Sequence, residues 1–128
     1  MSLRSPLGRV LGLGSAKGGS GHWYSQRVTS VALVILGLWF VASLVLLDGA
    51  SYTAVVTWLQ SPFSAVMAVL LVVIAAYHAH LGLQVIFEDY VSDKGTRLVL
   101  LIAIKFALVT ATLIGVLAVL RIALGVEA

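Results

Sequence analysis

The sequence predicts an all-α integral membrane protein with three transmembrane helices. Three observations predict it. First, 61% of the 128 residues are hydrophobic, only 10% are charged, and mean hydropathy is +1.11. A soluble domain carries about 25% charged residues, and thirteen charged side chains cannot cover the surface of a soluble domain of this length. Second, the apolar residues fall into three long stretches that are nearly free of charge. Third, the few charges collect at the ends of those stretches. Together these exclude an ordinary soluble domain, a disordered chain and a nucleic-acid module. With no Cys, disulfide frameworks, thiolate metal sites and cysteine nucleophiles are excluded as well.

Residues 1–27 form a basic arm with Arg4, Arg9, Lys17 and Arg27, no acid, and a Gly/Ser-rich run from Gly12 to Gly21. Nothing in it repeats an apolar period, so it is expected to be a flexible lead into the first helix. It has no apolar core of a secretory signal. Lys17 is preceded by Ala16 and no strand precedes the glycines, so the run is not a phosphate-binding loop. A basic, acid-free arm is also a property of organellar transit peptides, but its glycines oppose an amphipathic helix. An organellar location is therefore the less expected one.

The first span runs from Val28 to Leu47 without a charge and ends at Asp48 and Gly49. Twenty residues rising about 1.5 Å each cross a hydrocarbon core of about 30 Å. A link rich in aromatics and small polar groups follows (Tyr52, Thr53, Trp58), as suits a membrane interface. Ser61-Pro62 reads as a helix N-cap with Pro in the first turn. The second span, Phe63 to Phe87, is interrupted only by His78, His80 and Gln84, and a polar turn from Glu88 to Arg97 closes it. The third span, Leu98 to about Leu124, carries Lys105 near its start and Arg121 near its end. In lipid each segment must satisfy its own backbone, so all three are helices. The arm holds four basic residues and the first link none, which puts the N-terminus and the second turn on the cytoplasmic side.

Polar residues at membrane depth are costly and mark function. Residues two apart on a helix point about 200° apart, so His78 and His80 cannot serve one site. His78 lies about 14 Å from the cytoplasmic end of its span, on a stripe with Gly82, Val85 and Asp89. Gly82, one turn on, would let a flat macrocycle approach. An interhelical hydrogen bond and axial ligation of a haem both fit His78 on these grounds, as does a proton relay. His80, on another face, fits a hydrogen bond to a partner helix. At the span's end, Tyr90 beside Asp89 fits a phenol and carboxylate serving a quinone, or an interfacial Tyr with a solvated acid. Arg27 fits a partner for an anionic group such as a propionate, or an inside anchor beside Trp23 and Tyr24. Lys105 fits a snorkelling side chain, and Gly37 and Gly115 fit close helix contacts without a GxxxG pair. A proton-coupled transporter would need an acid in a span, and no span has one.

The run His78-Ala79-His80-Leu81-Gly82-Leu83-Gln84-Val85-Ile86-Phe87-Glu88-Asp89-Tyr90 resembles the hydrophobic membrane anchor subunits of succinate dehydrogenase, specifically the D-type chain. The resemblance covers about residues 20–124. In that family a His twelve residues before the Tyr of an Asp-Tyr pair ligates haem b, with a Gly four residues after the His; His78, Gly82, Asp89 and Tyr90 have this spacing. The segment His22-Trp23-Tyr24-Ser25-Gln26-Arg27-Val28-Thr29-Ser30 is similar to a His-Trp…Gln-Arg…Thr stretch of the family. The resemblance implies that His78 is the haem ligand, that Tyr90 and Asp89 contact ubiquinone, and that Arg27 lies near the haem propionates. It implies a non-catalytic anchor in complex II, with three partner chains: a flavoprotein, an iron–sulfur protein and a second anchor that gives the other haem ligand. The alternatives are an anchor of a quinol:fumarate reductase and a structural adaptor without haem.

Overall fold

A computed structural model describes residues 19–47, 49 and 51–126. Among the described residues there are four helices and no strand: α1 Gly19–Leu46, α2 Tyr52–Gln60, α3 Pro62–Tyr90 and α4 Lys94–Ala123. Three of them, over Ser20–Leu46, Pro62–Tyr90 and Lys94–Ala123, are long and apolar enough to cross a membrane. The expected all-α, three-span architecture is what the chain adopts.

The helices are longer than the apolar stretches that announce them. α1 begins at Gly19, so residues 19–27 of the expected arm, including His22 and Arg27, are helical. Arg4, Arg9, Lys17 and Asp48 lie outside the described residues. Two hydroxyls on the early turns bond back to helix carbonyls, Thr29 to Ser25 O at 2.8 Å and Ser30 to Gln26 O at 2.7 Å. Such bonds satisfy a polar group inside an otherwise apolar helix. α3 likewise runs on through Glu88, Asp89 and Tyr90, which leaves a turn of only Val91 to Asp93.

The link after α1 contains a helix that its composition does not announce. Ser51 caps α2, its hydroxyl accepting from Ala54 N at 3.3 Å. Nine residues with β-branched side chains are too short to be stable alone. Tertiary contact holds them: Trp58 stacks on Trp39 of α1 with centroids 5.6 Å apart, and lies 6.1 Å from Phe40. Phe63 meets Trp39 edge-on at 6.1 Å. Ser61 does stand at the N-cap of α3, with Pro62 in the first turn, but its hydroxyl makes no capping bond.

α3 is the middle helix, packed against α1 on one side and α4 on the other, with α2 against α3 and α4. Its small residues Ser64, Ala65 and Ala68 are buried, which lets backbones come close. Gly115 of α4 serves the same end: a Cβ there would lie 3.0 Å from Val72 Cγ1. Gly37 marks no contact among the described residues, since a Cβ there would meet nothing of them within 4 Å. The buried apolar set is small (Leu36, Leu59, Ala65, Ala68 and Leu81), and α4 buries none of its residues. So much apolar surface must be covered by lipid or by other chains.

The α3–α4 turn is fixed by Asp93, whose carboxylate accepts from Thr96 N at 2.7 Å and caps α4. The Thr96 amide, then the Thr96 hydroxyl and the Gly95 amide, hold the Asp93 carboxyl below its usual range. A carboxyl with a depressed folded-state pKa stabilises fully above its unfolded value and loses that contribution as pH falls through the folded one. Asp93→Ala is therefore expected to lower hydrogen-exchange protection at Thr96 at neutral pH, and acidification of the native chain below the ordinary carboxylate range to do the same. Unchanged protection in both cases would contradict the cap. At its far end α4 closes with Gly125 at φ +66°, where Val126 N donates to Arg121 O and Gly125 N to Ile122 O, the pairing of a Schellman motif.

Candidate functional site

Among the described residues, α1 and α3 meet around one imidazole. His78 projects from α3 to Gln26 and Thr29, which lie almost one turn apart on α1. Thr29 Oγ1 is 2.9 Å from His78 Nδ1, and Gln26 Nε2 is 3.3 Å from His78 Nε2. Thr29 is only 8% exposed. Gly82, one turn beyond His78, leaves the wall of α3 bare; a Cβ there would lie 3.6 Å from Gln26 Nε2. The Gln26 carboxamide thus lies against both the His78 ring and Gly82. Its Oε1 is enclosed and has no hydrogen-bond partner. The expected stripe of His78 and Gly82 is therefore real, and it faces α1.

His80 faces elsewhere. With Tyr77, Lys105 and Thr112 it lines a cavity of about 420 Å³ between α3 and α4. Its Nδ1 is enclosed and has no hydrogen-bond partner, so the interhelical bond expected for it is not made among the described residues. The 200° separation is what parts the two imidazoles. His22, also on α1, has an enclosed Nε2 without a partner.

The remaining site residues stand apart from His78. Arg27 places its guanidinium over the Trp23 ring, 5.5 Å from the centroid. Asp89 and Tyr90 sit at the end of α3, both exposed, Tyr90 at 85%. Their side chains make no hydrogen bond among the described residues, so both are open to groups from outside the chain. Around them, Gln84 Nε2 donates to Glu88 Oε1 at 2.8 Å and Arg97 Nη1 to Glu88 O at 3.4 Å. No group of three or more His, Asp or Glu that could hold a metal ion occurs among the described residues. What the chain does have is one imidazole, fixed at Nδ1 by a neighbouring helix and backed by a glycine.

Sequence reasoning did not single out Thr29 or Gln26 as partners of His78. Both lie in the segment from His22 to Ser30, and their spacing of three puts them on one helix face. That spacing, set against a buried His needing a partner, was the available signal.

Residues 1–114 match the family described as succinate dehydrogenase/fumarate reductase transmembrane subunit. The chain belongs to this family. Its similarity to individual members is extensive. The succinate dehydrogenase hydrophobic membrane anchor subunit of Rickettsia bellii (strain RML369-C) is 34% identical over 108 residues, 84% of this chain and 86% of the relative. That of Rickettsia conorii (strain ATCC VR-613 / Malish 7) is 38% identical over 99 residues, 76% of this chain and 79% of the relative. The protein of the same description from Paracoccus denitrificans is 30% identical over 93 residues, 73% of this chain and 71% of the relative. The family match spans α1 and α3 whole, and with them every site residue discussed above.

Proposed function

We propose that this chain is the hydrophobic membrane anchor of a succinate:ubiquinone oxidoreductase in a bacterial inner membrane. It does not oxidise succinate. It holds a peripheral flavoprotein and iron–sulfur protein at the cytoplasmic face, together with a second anchor chain. His78 would hold the iron of haem b together with a residue of the partner anchor, and Tyr90 and Asp89 would contribute to a ubiquinone pocket. The observation that carries the haem assignment is His78 itself, one span imidazole held at Nδ1 with Nε2 turned to a carboxamide over Gly82. The donor set suits an iron that needs a single nitrogen from this chain.

Haem b, when bound, would supply a one-electron centre. The chain's own residues do the rest. His78 orients through Thr29. Gln26, with half of its carboxamide unsatisfied, is the group that gives way at Nε2. Arg27, over the Trp23 ring and next to Gln26 in sequence, would pair with a propionate by charge. The Tyr90 phenol donates a hydrogen bond to a quinone carbonyl, and the Asp89 carboxylate beside it accepts and passes on a proton. The family description also covers fumarate reductases; the three relatives named above are all succinate dehydrogenase subunits, which favours the succinate direction.

Deletion of this chain tests the proposal. Succinate oxidation with an artificial acceptor is expected to move from the membrane to the soluble fraction, while ubiquinone reduction is lost and returns on complementation. Activity that stays membrane-bound with quinone reduction intact would contradict it.

A further inference from the structure

We infer that Thr29 is a positioning residue for His78. Its Oγ1 accepts a hydrogen bond from Nδ1–H and so fixes the tautomer whose Nε2 lone pair is available to bind iron. The inference rests on the haem reading above and deepens it.

The geometry leaves one way to place the protons. Thr29 Oγ1 lies 2.8 Å from Ser25 O, 3.1 Å from Gln26 O and 2.9 Å from His78 Nδ1. A hydroxyl has one proton, and carbonyl oxygens only accept. The proton therefore goes to Ser25 O, with Gln26 O close enough to share it. Were it given to Nδ1 instead, oxygen lone pairs would face each other across 2.8 Å with no hydrogen between them. Nδ1 must then carry hydrogen and donate to Oγ1. A neutral imidazole has one N–H, so Nε2 is the acceptor.

The other nitrogen agrees. Gln26 Nε2 is a donor and lies 3.3 Å from His78 Nε2, a contact that needs a lone pair there. A reversed carboxamide would put Oε1 against Nε2 and demand the opposite tautomer, which Thr29 forbids. Thr29 is itself well held. It is buried, its hydroxyl is tied to its own helix, and β-branching restricts its χ1. Imidazole ligands of metals commonly donate the second N–H in this way; the bond sets the ring orientation, raises ligand basicity, and its loss typically costs about 10–100-fold in metal affinity.

The test uses the assembled complex carrying Thr29→Val, Thr29→Ser or His78→Ala. Two quantities are read, the midpoint potential of haem b and the ratio of haem to flavin. Thr29→Val removes the acceptor, so the ligand becomes a weaker donor to ferric iron. Its potential is expected to rise and its haem ratio to fall. Thr29→Ser keeps the hydroxyl and is expected to restore both. Wild-type values in Thr29→Val would overturn the inference, as would a Thr29→Ser displaced as far as the Val variant, since a retained hydroxyl would then not preserve the wild-type values. If Thr29→Val does not accumulate, Thr29→Cys decides, because it is similar in size and a weak acceptor. It must shift the potential upward, and a wild-type potential would overturn the inference. Haem retained unchanged in His78→Ala is a different result, which fails the ligand assignment itself.

Discussion

Tyr90→Phe is expected to depress ubiquinone reduction by the assembled complex, while succinate oxidation with an artificial acceptor persists. The phenol is the last residue of α3 and is 85% exposed, without a hydrogen bond inside the described chain. Its removal costs the fold almost nothing, because the hydroxyl has no partner to lose. It removes a hydrogen bond that a quinone carbonyl would otherwise receive, and with it a route for the proton beside Asp89. General acid–base groups contribute about 10²–10⁴-fold, so a loss of roughly tenfold or more in quinone reductase turnover is expected, with haem content unchanged. Equal loss of both activities would point to a failure of assembly instead and would count against the quinone role. Asp89→Asn should act in the same direction, since it keeps size and removes the charge.

Much of the fold was legible because a membrane imposes few solutions. Apolar length reports a span, and backbone satisfaction makes it a helix. The boundaries were less legible. Gly19 and Gly21 oppose a helix by propensity, yet α1 starts there. α2 was not visible at all: its sequence is short and β-branched, and the stacking of Trp58 on Trp39 holds it, a contact between residues nineteen apart. At the site, helix geometry parted His78 from His80, and the resemblance to the anchor family, through its spacing to Tyr90, implied His78 as the ligand. Its partners did not follow, because a helix apolar all round does not say which face meets its neighbour. Only the packing of α1 on α3 brings Thr29 to Nδ1 and Gln26 to Nε2.

The second large effect concerns the two imidazoles of α3. His78 lies between α1 and α3 with Nδ1 tied to Thr29, and His80 lies in the cavity between α3 and α4. They differ by two residues and face opposite sides of one helix, so each is a control for the other. Replacing His78 by Ala removes the nitrogen proposed to bind the haem iron, and no other described side chain at that contact could replace it, since Thr29 and Gln26 are poor iron ligands. Replacing His80 removes a ring that meets no hydrogen-bond partner at Nδ1. The decisive measurement is the reduced-minus-oxidised optical spectrum of the complex purified through a tag on this chain, recorded for wild type, His78→Ala and His80→Ala. A b-type band in wild type that is lost or altered in His78→Ala and kept in His80→Ala is the predicted result. A wild-type complex with no b-type band, or a band that survives His78→Ala and disappears in His80→Ala, would contradict it.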